Sequence, residues 1–411
     1  FQFLAQLVEI EPKVVDRGTG GTVQFTLRHR GDFQPLADCS LRWTVEDNGI
    51  PVAQGSMPVP VVAVDAELDL SADLPPTISE GSLGERVITA RLCRNRATAL
   101  TPVGHQIAWG QTVVASVPAP RRPADSPDDA GQTVAGLSLE LVKGAPVLRA
   151  AGLPAPLEIQ GPLVSLWRAP TENDLIRRMP EQDQKPGARW IAQGLHRLQT
   201  HWARNGKELR GVIETALGEE RGSVRLGLRD EGPSGWYRLA VEIALTDELS
   251  DLPRVGLRFE LPAGFEALQW YGRGPQESYP DRSAGYPVGQ WESTVTDQYV
   301  PYVLPQEHGG HADTRRLRLE HRDAAAGSPS ASFELAALPG ELFQFSALHS
   351  APEDLEDLAH QNEIVPRKET ILLADAFHRG IGTAACGPDC HPRWTAGGGT
   401  HRWEWDLRIR G

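Results

Sequence analysis

An all-β protein is the fold class that this 411-residue sequence predicts. Apolar and polar residues alternate at Val23 to Leu27, at Leu41 to Val45 and at Leu239 to Leu245, and a period of two is typical of strands with one buried face. The pair Asn48-Gly49 follows the second run and favours a two-residue hairpin turn. The 41 glycines and 33 prolines, in a chain that is 40% hydrophobic, indicate many turns in a folded protein.

The same alternation returns at Val255 to Leu261 and at Trp403 to Ile409, so we expect antiparallel sheets along the whole chain. Helical signals are few. Ser350 to His360 has an N-cap serine, an early proline and acidic residues in its first turns, which predicts a short helix. A second short helix is expected over Arg189 to Leu198. We find no repeated strand-then-helix units of the kind that a (β/α)₈ barrel needs.

Two domains are expected, with a linker between them. Residues 119–132 lie in the stretch VPAPRRPADSPDDAGQ, which has no periodicity and is rich in proline and charge, as linkers are. Residues 1–118 carry short alternating strands and turn signals that suit an immunoglobulin-like β-sandwich. Residues 133–411 are numerous enough for one large antiparallel β-sandwich with a sizeable core.

Charge and composition bear on the partners and the location. The formal net charge of −13 would repel a nucleic-acid backbone. The sequence shows no apolar run long enough to span a membrane and no signal peptide. Four cysteines are too few for a disulfide scaffold and fit a reducing compartment, so we expect a cytoplasmic protein. Because the chain begins at Phe1 inside a strand-like run, we expect it to be part of a longer polypeptide.

The segment WYGRGPQESYPDR, Trp270 to Arg282, combines backbone breakers with groups that suit a polar ligand. Its glycines, Gly274 among them, allow close backbone approach, and its prolines stiffen the path. We expect an ordered loop that presents its side chains. Carboxylates, a guanidinium and aromatic rings together suit a sugar; the groups in question are Glu277, Asp281, Arg282, Trp270, Tyr271 and Tyr279.

Two other interpretations of this loop stay open. It could be a salt-bridged surface loop with core aromatics. Glu277 and Asp281 could also form a glycosidase carboxylate pair, although the neighbouring Arg282 favours an ionised, paired Asp281. For the stretch SLWRAPTENDL, which contains Asn173 and Asp174, a capped turn and a ligand contact are equally compatible with the residues.

Two His-containing clusters are candidate metal sites. Glu307, His308 and His311 surround a Gly-Gly turn, which argues against the regular helix of zincin motifs. Cys386, Cys390 and His391, with His378 nearby, have a spacing that is uncommon in structural zinc sites. We therefore expect no metal site in this chain.

Four motifs, in this order and at these distances, resemble the C-terminal third of the large β-galactosidases of glycoside hydrolase family 2. They are WRAPTENDL, WYGRGPQESYPDR, DQYVPYVLPQEHGGHADTRRL and FHRGIGTAACGP. Residues up to about 117, with LRHRGDF, LRWTVEDNGIPVAQG and GHQIAWGQ, are similar to the fourth, immunoglobulin-like domain of those enzymes. The remainder resembles their fifth domain, a β-supersandwich related in fold to galactose mutarotase.

The resemblance implies an accessory part of a β-galactosidase. The family's catalytic glutamates lie in a central (β/α)₈ barrel that precedes this segment, so this chain alone should be inactive, with no cofactor of its own and with Mg or Na left to the missing domains. The loop Gly274 to Arg282 would border the sugar pocket, and the loop Gly382 to Pro388 would bring Cys386 to the aglycone side. Some members carry tryptophan there and others cysteine, and a thiol offers much less stacking area than an indole.

The expected rim residues are therefore Gly274, Glu277, Tyr279, Asp281, Arg282 and Cys386, and the supporting residues are Trp270, Glu307, Arg315, His378, Asn173 and Asp174. Expected partners are galactose or a β-galactoside, the catalytic barrel and a second copy of the protein. The alternatives are a free carbohydrate-binding module and an aldose-epimerase-like module. An epimerase needs a His acid and a Glu base, for which His308 or His378 with Glu277 are the candidates.

Overall fold

The computed structural model describes residues 6–16, 21–74, 85–115, 135–153, 156–176, 184–322 and 329–411. The chain divides into two compact units, Phe1–Arg121 and Arg122–Gly411. Antiparallel β-sheets make up both units, which confirms the all-β prediction. The predicted linker, 119–132, lies outside the described residues.

The first unit contains seven described strands. They are β1 Val8–Asp16, β2 Gly21–His29, β3 Cys39–Asp47, β4 Ile50–Val59, β5 Glu67–Asp73, β6 Glu85–Arg94 and β7 Gln106–Ala115. One sheet has the order β1-β2-β5 and the other the order β4-β3-β6-β7. Phe25 of the first sheet and Trp43 of the second belong to one apolar core, with ring centroids 6.2 Å apart. This is the two-sheet arrangement of an immunoglobulin-like sandwich.

The hairpin predicted at Asn48-Gly49 is confirmed. Asp47 pairs with Ile50, so the turn between β3 and β4 contains two residues. Both have positive φ, 53° at Asn48 and 82° at Gly49. Such a turn follows the twist of the flanking strands, and Asn-Gly tolerates it best.

The second unit contains sixteen described strands and one described α-helix. The strands are β8 Gly136–Val142, β9 Ala145–Ala151, β10 Leu157–Ser165, β11 Gln199–Asn205, β12 Glu208–Glu214, β13 Glu220–Asp230, β14 Tyr237–Leu245, β15 Arg254–Leu261, β16 Phe265–Arg273, β17 Val288–Thr294, β18 His311–Thr314, β19 Arg316–Arg322, β20 Pro329–Ala337, β21 Phe343–Leu348, β22 Thr370–His378 and β23 Gly399–Arg410; the helix is α1 Pro186–Ala192.

These strands form two large sheets. One has the order β18-β21-β22-β15-β10-β9-β8, and the other the order β11-β12-β13-β14-β23-β20-β19-β16-β17. Apolar residues from both sheets, such as Phe259 and Phe333 with ring centroids 5.4 Å apart, belong to one buried core. The loops that leave β16 and β22 at Arg273 and His378 carry the motifs of the candidate site.

The two helix predictions fared differently. Helix α1 overlaps the segment predicted from Arg189 to Leu198, and a 3₁₀ turn follows at Leu195–Arg197. The helix predicted over Ser350 to His360 is wrong, because only the 3₁₀ turn Pro352–Asp354 forms there. Asp354 caps that turn at Ala351 N and pairs with Arg367. Among the described residues, no helix is long and apolar enough to cross a membrane.

Candidate functional site

The first loop of the site begins at Gly274, directly after β16. A Cβ atom at Gly274 would lie 2.7 Å from Cδ1 of Trp291, so only glycine lets the backbone pass this close to the indole. The indole N–H groups of Trp270 and Trp291 donate to the carbonyls of Arg273 and Gly272, at 3.0 Å each. The aromatic residues of this motif therefore fix the start of the loop.

Asp281 joins this loop to the loop after β22. Its two carboxylate oxygens accept hydrogen bonds from the backbone N–H groups of Ile381, at 2.9 Å, and Gly382, at 2.7 Å. A Cβ atom at Gly380 would lie 2.8 Å from Cγ of Asp281, so glycine is needed for this approach as well. The two glycine-rich loops, 274–282 after β16 and 379–386 after β22, therefore lie side by side.

Asn173 attaches a third segment to the same place. Its side-chain N–H₂ donates to the carbonyl of Gly382 at 2.7 Å, and its carbonyl accepts from Ala385 N at 3.0 Å. Arg168 pairs with Asp174 through two hydrogen bonds, of 3.1 and 2.7 Å. The guanidinium of Arg168 also donates to the carbonyl of Arg379 at 2.8 Å.

Glu277 attaches a fourth segment. One carboxylate oxygen accepts from Gly309 N at 2.8 Å. The other accepts from Arg282 and from the hydroxyl of Tyr302. We call the assembly of residues 168–174, 274–282, 302–309 and 379–386 the rim.

The side chains of the rim differ in exposure. Arg282 is 44% exposed, and Cys386 is an exposed free thiol. The expectation that this loop presents its side chains is wrong for its aromatic residues, because Tyr279, Trp270 and Tyr271 are 0%, 3% and 3% exposed. Tyr279 is covered because the guanidinium of Arg282 lies 5.3 Å from its ring centroid. The backbone of Gly310 packs against the same ring, and a Cβ atom at Gly310 would lie 2.8 Å from Cε1 of Tyr279.

A charged cluster is buried beneath Tyr279. We call it the buried cluster and define it as Arg254, Glu307, Asp375 and His378. Nη2 of Arg254 lies 2.9 Å from Oε1 of Glu307 and 3.1 Å from Nε2 of His378, and the His378 ring centroid lies 5.4 Å from that of Tyr279. Because Nδ1 of His378 lies 2.8 Å from the carbonyl of Arg379, it carries the proton, and Nε2 accepts from Arg254.

Burial and Arg254 set the protonation states of this cluster. Burial alone would raise the pKa of Glu307, but the guanidinium of Arg254 outweighs burial and lowers the pKa to about 2. Burial lowers the pKa of His378 to about 4. Burial raises the pKa of Asp375 to about 7, because the nearest contact of Asp375 with Arg254 is longer, at 3.7 Å. Near neutral pH the cluster holds an ionised Glu307 and a neutral His378.

The structure thus brings together most of the predicted residues. Glu307 and His378 meet in the buried cluster, and it is Glu307, rather than Glu277, that lies within 3.6 Å of His378. Arg315 lies instead over Tyr271, 5.5 Å from its ring centroid. Arg254 and Asp375 could not be recognised from the sequence, because each lies within a strand and they meet each other across 121 residues of chain, since Arg254 is in β15 and Asp375 in β22.

The residues considered for metal binding have other surroundings. Within the described ranges, no group of three or more His, Cys, Asp or Glu side chains could hold a metal ion. His311 is packed between Trp270 and Phe345, with ring centroids 4.4 and 5.0 Å away, and burial lowers its pKa to about 3. Nδ1 of His391 accepts a hydrogen bond from Arg393 N.

Comparison with known proteins identifies the class. Residues 142–408 match the family profile described as β-galactosidase small chain, and residues 25–115 match the profile of β-galactosidase domain 4. The chain therefore belongs to the β-galactosidase small-chain family.

Two β-galactosidases illustrate the relationship. The protein from Arthrobacter sp. (strain B7) is 30% identical over 405 residues, which cover 91% of this chain and 38% of that protein. The protein from Aeromonas hydrophila is 27% identical over 383 residues, which cover 85% and 34%. The chain thus spans little more than a third of the length of these relatives. A candidate aldose 1-epimerase from Escherichia coli K12 covers 68% of this chain with a TM-score of 0.31 and 12% identity, which is too weak to support an argument.

Proposed function

We propose that this chain is the C-terminal, non-catalytic part of a β-galactosidase, in which the rim completes a galactoside pocket whose catalytic carboxylates come from another domain. Galactose or a β-galactoside is the ligand, and the parent's catalytic domain is the partner. The observation that carries the proposal is the contact between Asp281 and the amides of Ile381 and Gly382. It joins the two motif loops into one edge that a second domain could cover.

The use of the rim carboxylates supports the non-catalytic role. A glycosidase needs one carboxyl group as acid and another as nucleophile or base, both directed at the sugar. Here both oxygens of Asp281 accept backbone amides, and both oxygens of Glu277 accept hydrogen bonds from within the rim. Carboxylates whose two oxygens both accept hydrogen bonds from the protein hold loops in position. The exposed Arg282 and Cys386 remain as groups that a ligand can reach.

Turnover of a chromogenic β-galactoside tests the proposal. The purified 411-residue chain should show no hydrolysis above background, while its full-length parent hydrolyses the same substrate. The chain with Glu277→Gln, purified in the same way, serves as a further control. A contaminating host enzyme would give the same residual activity in the wild-type and the variant preparations. Hydrolysis by the chain alone that disappears in the Glu277→Gln variant would refute the non-catalytic role.

A further inference from the structure

A partly exposed tryptophan, Trp394, lies next to the rim at the end of the 3₁₀ turn Pro392–Trp394. Its backbone carbonyl accepts a hydrogen bond from Gly380 N at 3.0 Å and lies 4.0 Å from Sγ of Cys390. Gly380 belongs to the rim, and Cys390 follows it on the same loop after β22. The turn that carries Trp394 is therefore attached to the rim through its backbone.

The side chain of Trp394 begins beside the carboxylate of Asp281. A Cβ atom at Gly380 would lie 3.1 Å from Cβ of Trp394 and 2.8 Å from Cγ of Asp281. The two side chains thus flank one glycine, and the missing Cβ lets both approach the backbone there. Because Asp281 joins the two motif loops, the Trp394 side chain starts at the point where these loops meet.

Four tryptophans among the described residues are partly exposed, and Trp394 differs from the other three. Trp167, Trp202 and Trp291 pack against the apolar core of the second unit. The indole of Trp394 instead contacts the guanidinium of Arg393, which lies 4.7 Å from its ring centroid. Within the described ranges, its N–H is neither buried nor bonded to a protein group. Trp394 therefore presents an apolar ring and a free hydrogen-bond donor to the solvent.

This combination suits a pyranose ring. The C–H face of a sugar stacks on an aromatic ring, while its hydroxyl groups need directional partners. The indole N–H of Trp394 is one donor, and the guanidinium of the exposed Arg393 supplies others. An indole has only two side-chain torsions, so the entropic cost of fixing it against a ligand is low.

The surroundings of Trp394 favour a sugar over a contact with another protein surface. Among the described residues after Val365, no large apolar side chain is highly exposed. The segment around Trp394 thus offers one indole and not an apolar patch, and interfaces between proteins are built on larger patches. His391, Pro392 and Arg393, which directly precede the indole, are all exposed.

We propose that Trp394 binds the apolar face of a sugar ring of the bound galactoside, with its N–H and the guanidinium of Arg393 donating to the hydroxyl groups. This inference rests on the function proposed above, because it places the galactoside at the rim. It adds a binding residue that lies outside both motif loops. Galactose and a glycosyl aglycone present the same kind of C–H face, and the substrates named below distinguish them.

Sugar binding to the purified 411-residue chain tests the proposal without a catalytic step. The eleven tryptophans give indole N–H signals in ¹⁵N-correlated NMR spectra, and the signal of Trp394 is identified by its loss in Trp394→Phe. Methyl β-D-galactopyranoside and lactose should shift this signal saturably, with dissociation constants of roughly 10–100 mM. Galactitol has the hydroxyl groups of galactose without its ring and should leave the signal in place. No shift with either sugar, or an equal shift with galactitol, would overturn the proposal.

Kinetics of the full-length parent measure the contribution of the ring. Trp394→Ala should raise KM for lactose about tenfold and change kcat less than about twofold, because stacking holds the sugar equally in the ground state and the transition state. Trp394→Phe keeps an aromatic ring, so its KM should stay within about threefold of the wild type. A matching rise of KM for methyl β-D-galactopyranoside assigns the stacked ring to galactose, and a rise for lactose alone assigns it to the aglycone.

Two results would contradict the proposal. Unchanged KM for both substrates in Trp394→Ala would do so, and a lowered thermal transition of the parent with unchanged KM would show that Trp394 contacts another domain instead. Asp281→Ala in the same parent separates this inference from the proposed function. If only Asp281→Ala lowers kcat/KM, the role of Trp394 is wrong and the role of the rim stands. If neither variant changes the kinetics, both are wrong.

Discussion

The two units of the chain bury different kinds of side chain. Among the described residues of the first unit, the buried polar side chains are Thr22, His29 and Thr89. The second unit buries complete ion pairs, such as Arg168 with Asp174 and Arg254 with Glu307. These pairs lie at or directly beneath the rim.

This difference separates a unit with an ordinary apolar core from the unit that carries the candidate site. A buried ion pair contributes little net stability compared with apolar residues of the same volume, but removal of one partner is costly. The first unit reaches its fold with an ordinary apolar core. The second unit places buried charges where loops from four parts of the chain must hold one geometry. We therefore interpret the pairs Arg168–Asp174 and Arg254–Glu307 as fixing the loops rather than as a general source of stability.

The strongest way to test this contrast is to remove one buried arginine. Arg168→Leu leaves the carboxylate of Asp174 buried without its guanidinium and removes one of the two donors to the carbonyl of Arg379. We expect the free energy of unfolding to fall by about 3–5 kcal/mol, measured by urea denaturation. The comparison change in the first unit, Arg96→Leu, breaks an exposed pair with Asp38 and should cost about 1 kcal/mol or less. Equal losses would remove the distinction between the units.

The buried carboxyl of Asp375, in the second unit, should make the stability of the chain depend on pH. Its pKa is raised from 3.8 to about 7 by burial, so the folded chain keeps a proton that the unfolded chain releases above 3.8. The Asp375 carboxyl therefore contributes a loss of stability as pH rises through this interval, of up to about 1.4 kcal/mol per pH unit.

Asp375→Asn tests this dependence, because asparagine has no proton to lose. The stability of this variant relative to the wild type should rise from pH 4 to pH 7 and level off above. Arg254, Glu307 and His378 are common to both proteins, so their titration largely cancels in the difference. Parallel stability curves, from urea denaturation at a series of pH values, would show that Asp375 is ionised in the folded chain.

The smallest expected effect compares two tyrosines of the rim. The hydroxyl of Tyr279 is buried without a hydrogen-bond partner, so Tyr279→Phe should stabilise the chain by about 1 kcal/mol. The hydroxyl of Tyr302 donates to Glu277, so Tyr302→Phe should destabilise it by about 1 kcal/mol. Opposite signs in thermal denaturation support the described hydrogen bonds, and a loss in both variants would contradict the placement of Tyr279.

The sequence predicted the strands better than the site. Alternation of side chains is a local signal, and it located strands such as β14, Tyr237–Leu245. The partners of Asp281 are about 100 residues away, at Ile381 and Gly382. No local sequence pattern shows which carboxylate oxygens already accept hydrogen bonds. The sequence could therefore mark Asp281 as a site residue without showing that it binds backbone amides.

The central claim is that Asp281 holds the two motif loops in the geometry of a galactoside pocket. The most direct test is kcat/KM of the full-length parent for a β-galactoside with Asp281→Ala. Glu266→Ala is the matched control, because Glu266 also accepts a backbone amide, that of Thr296 at 2.8 Å, but lies near the opposite end of β16. We predict a loss of roughly tenfold or more for Asp281→Ala and a change within about twofold for Glu266→Ala. Equal activity of the two variants would contradict the claim.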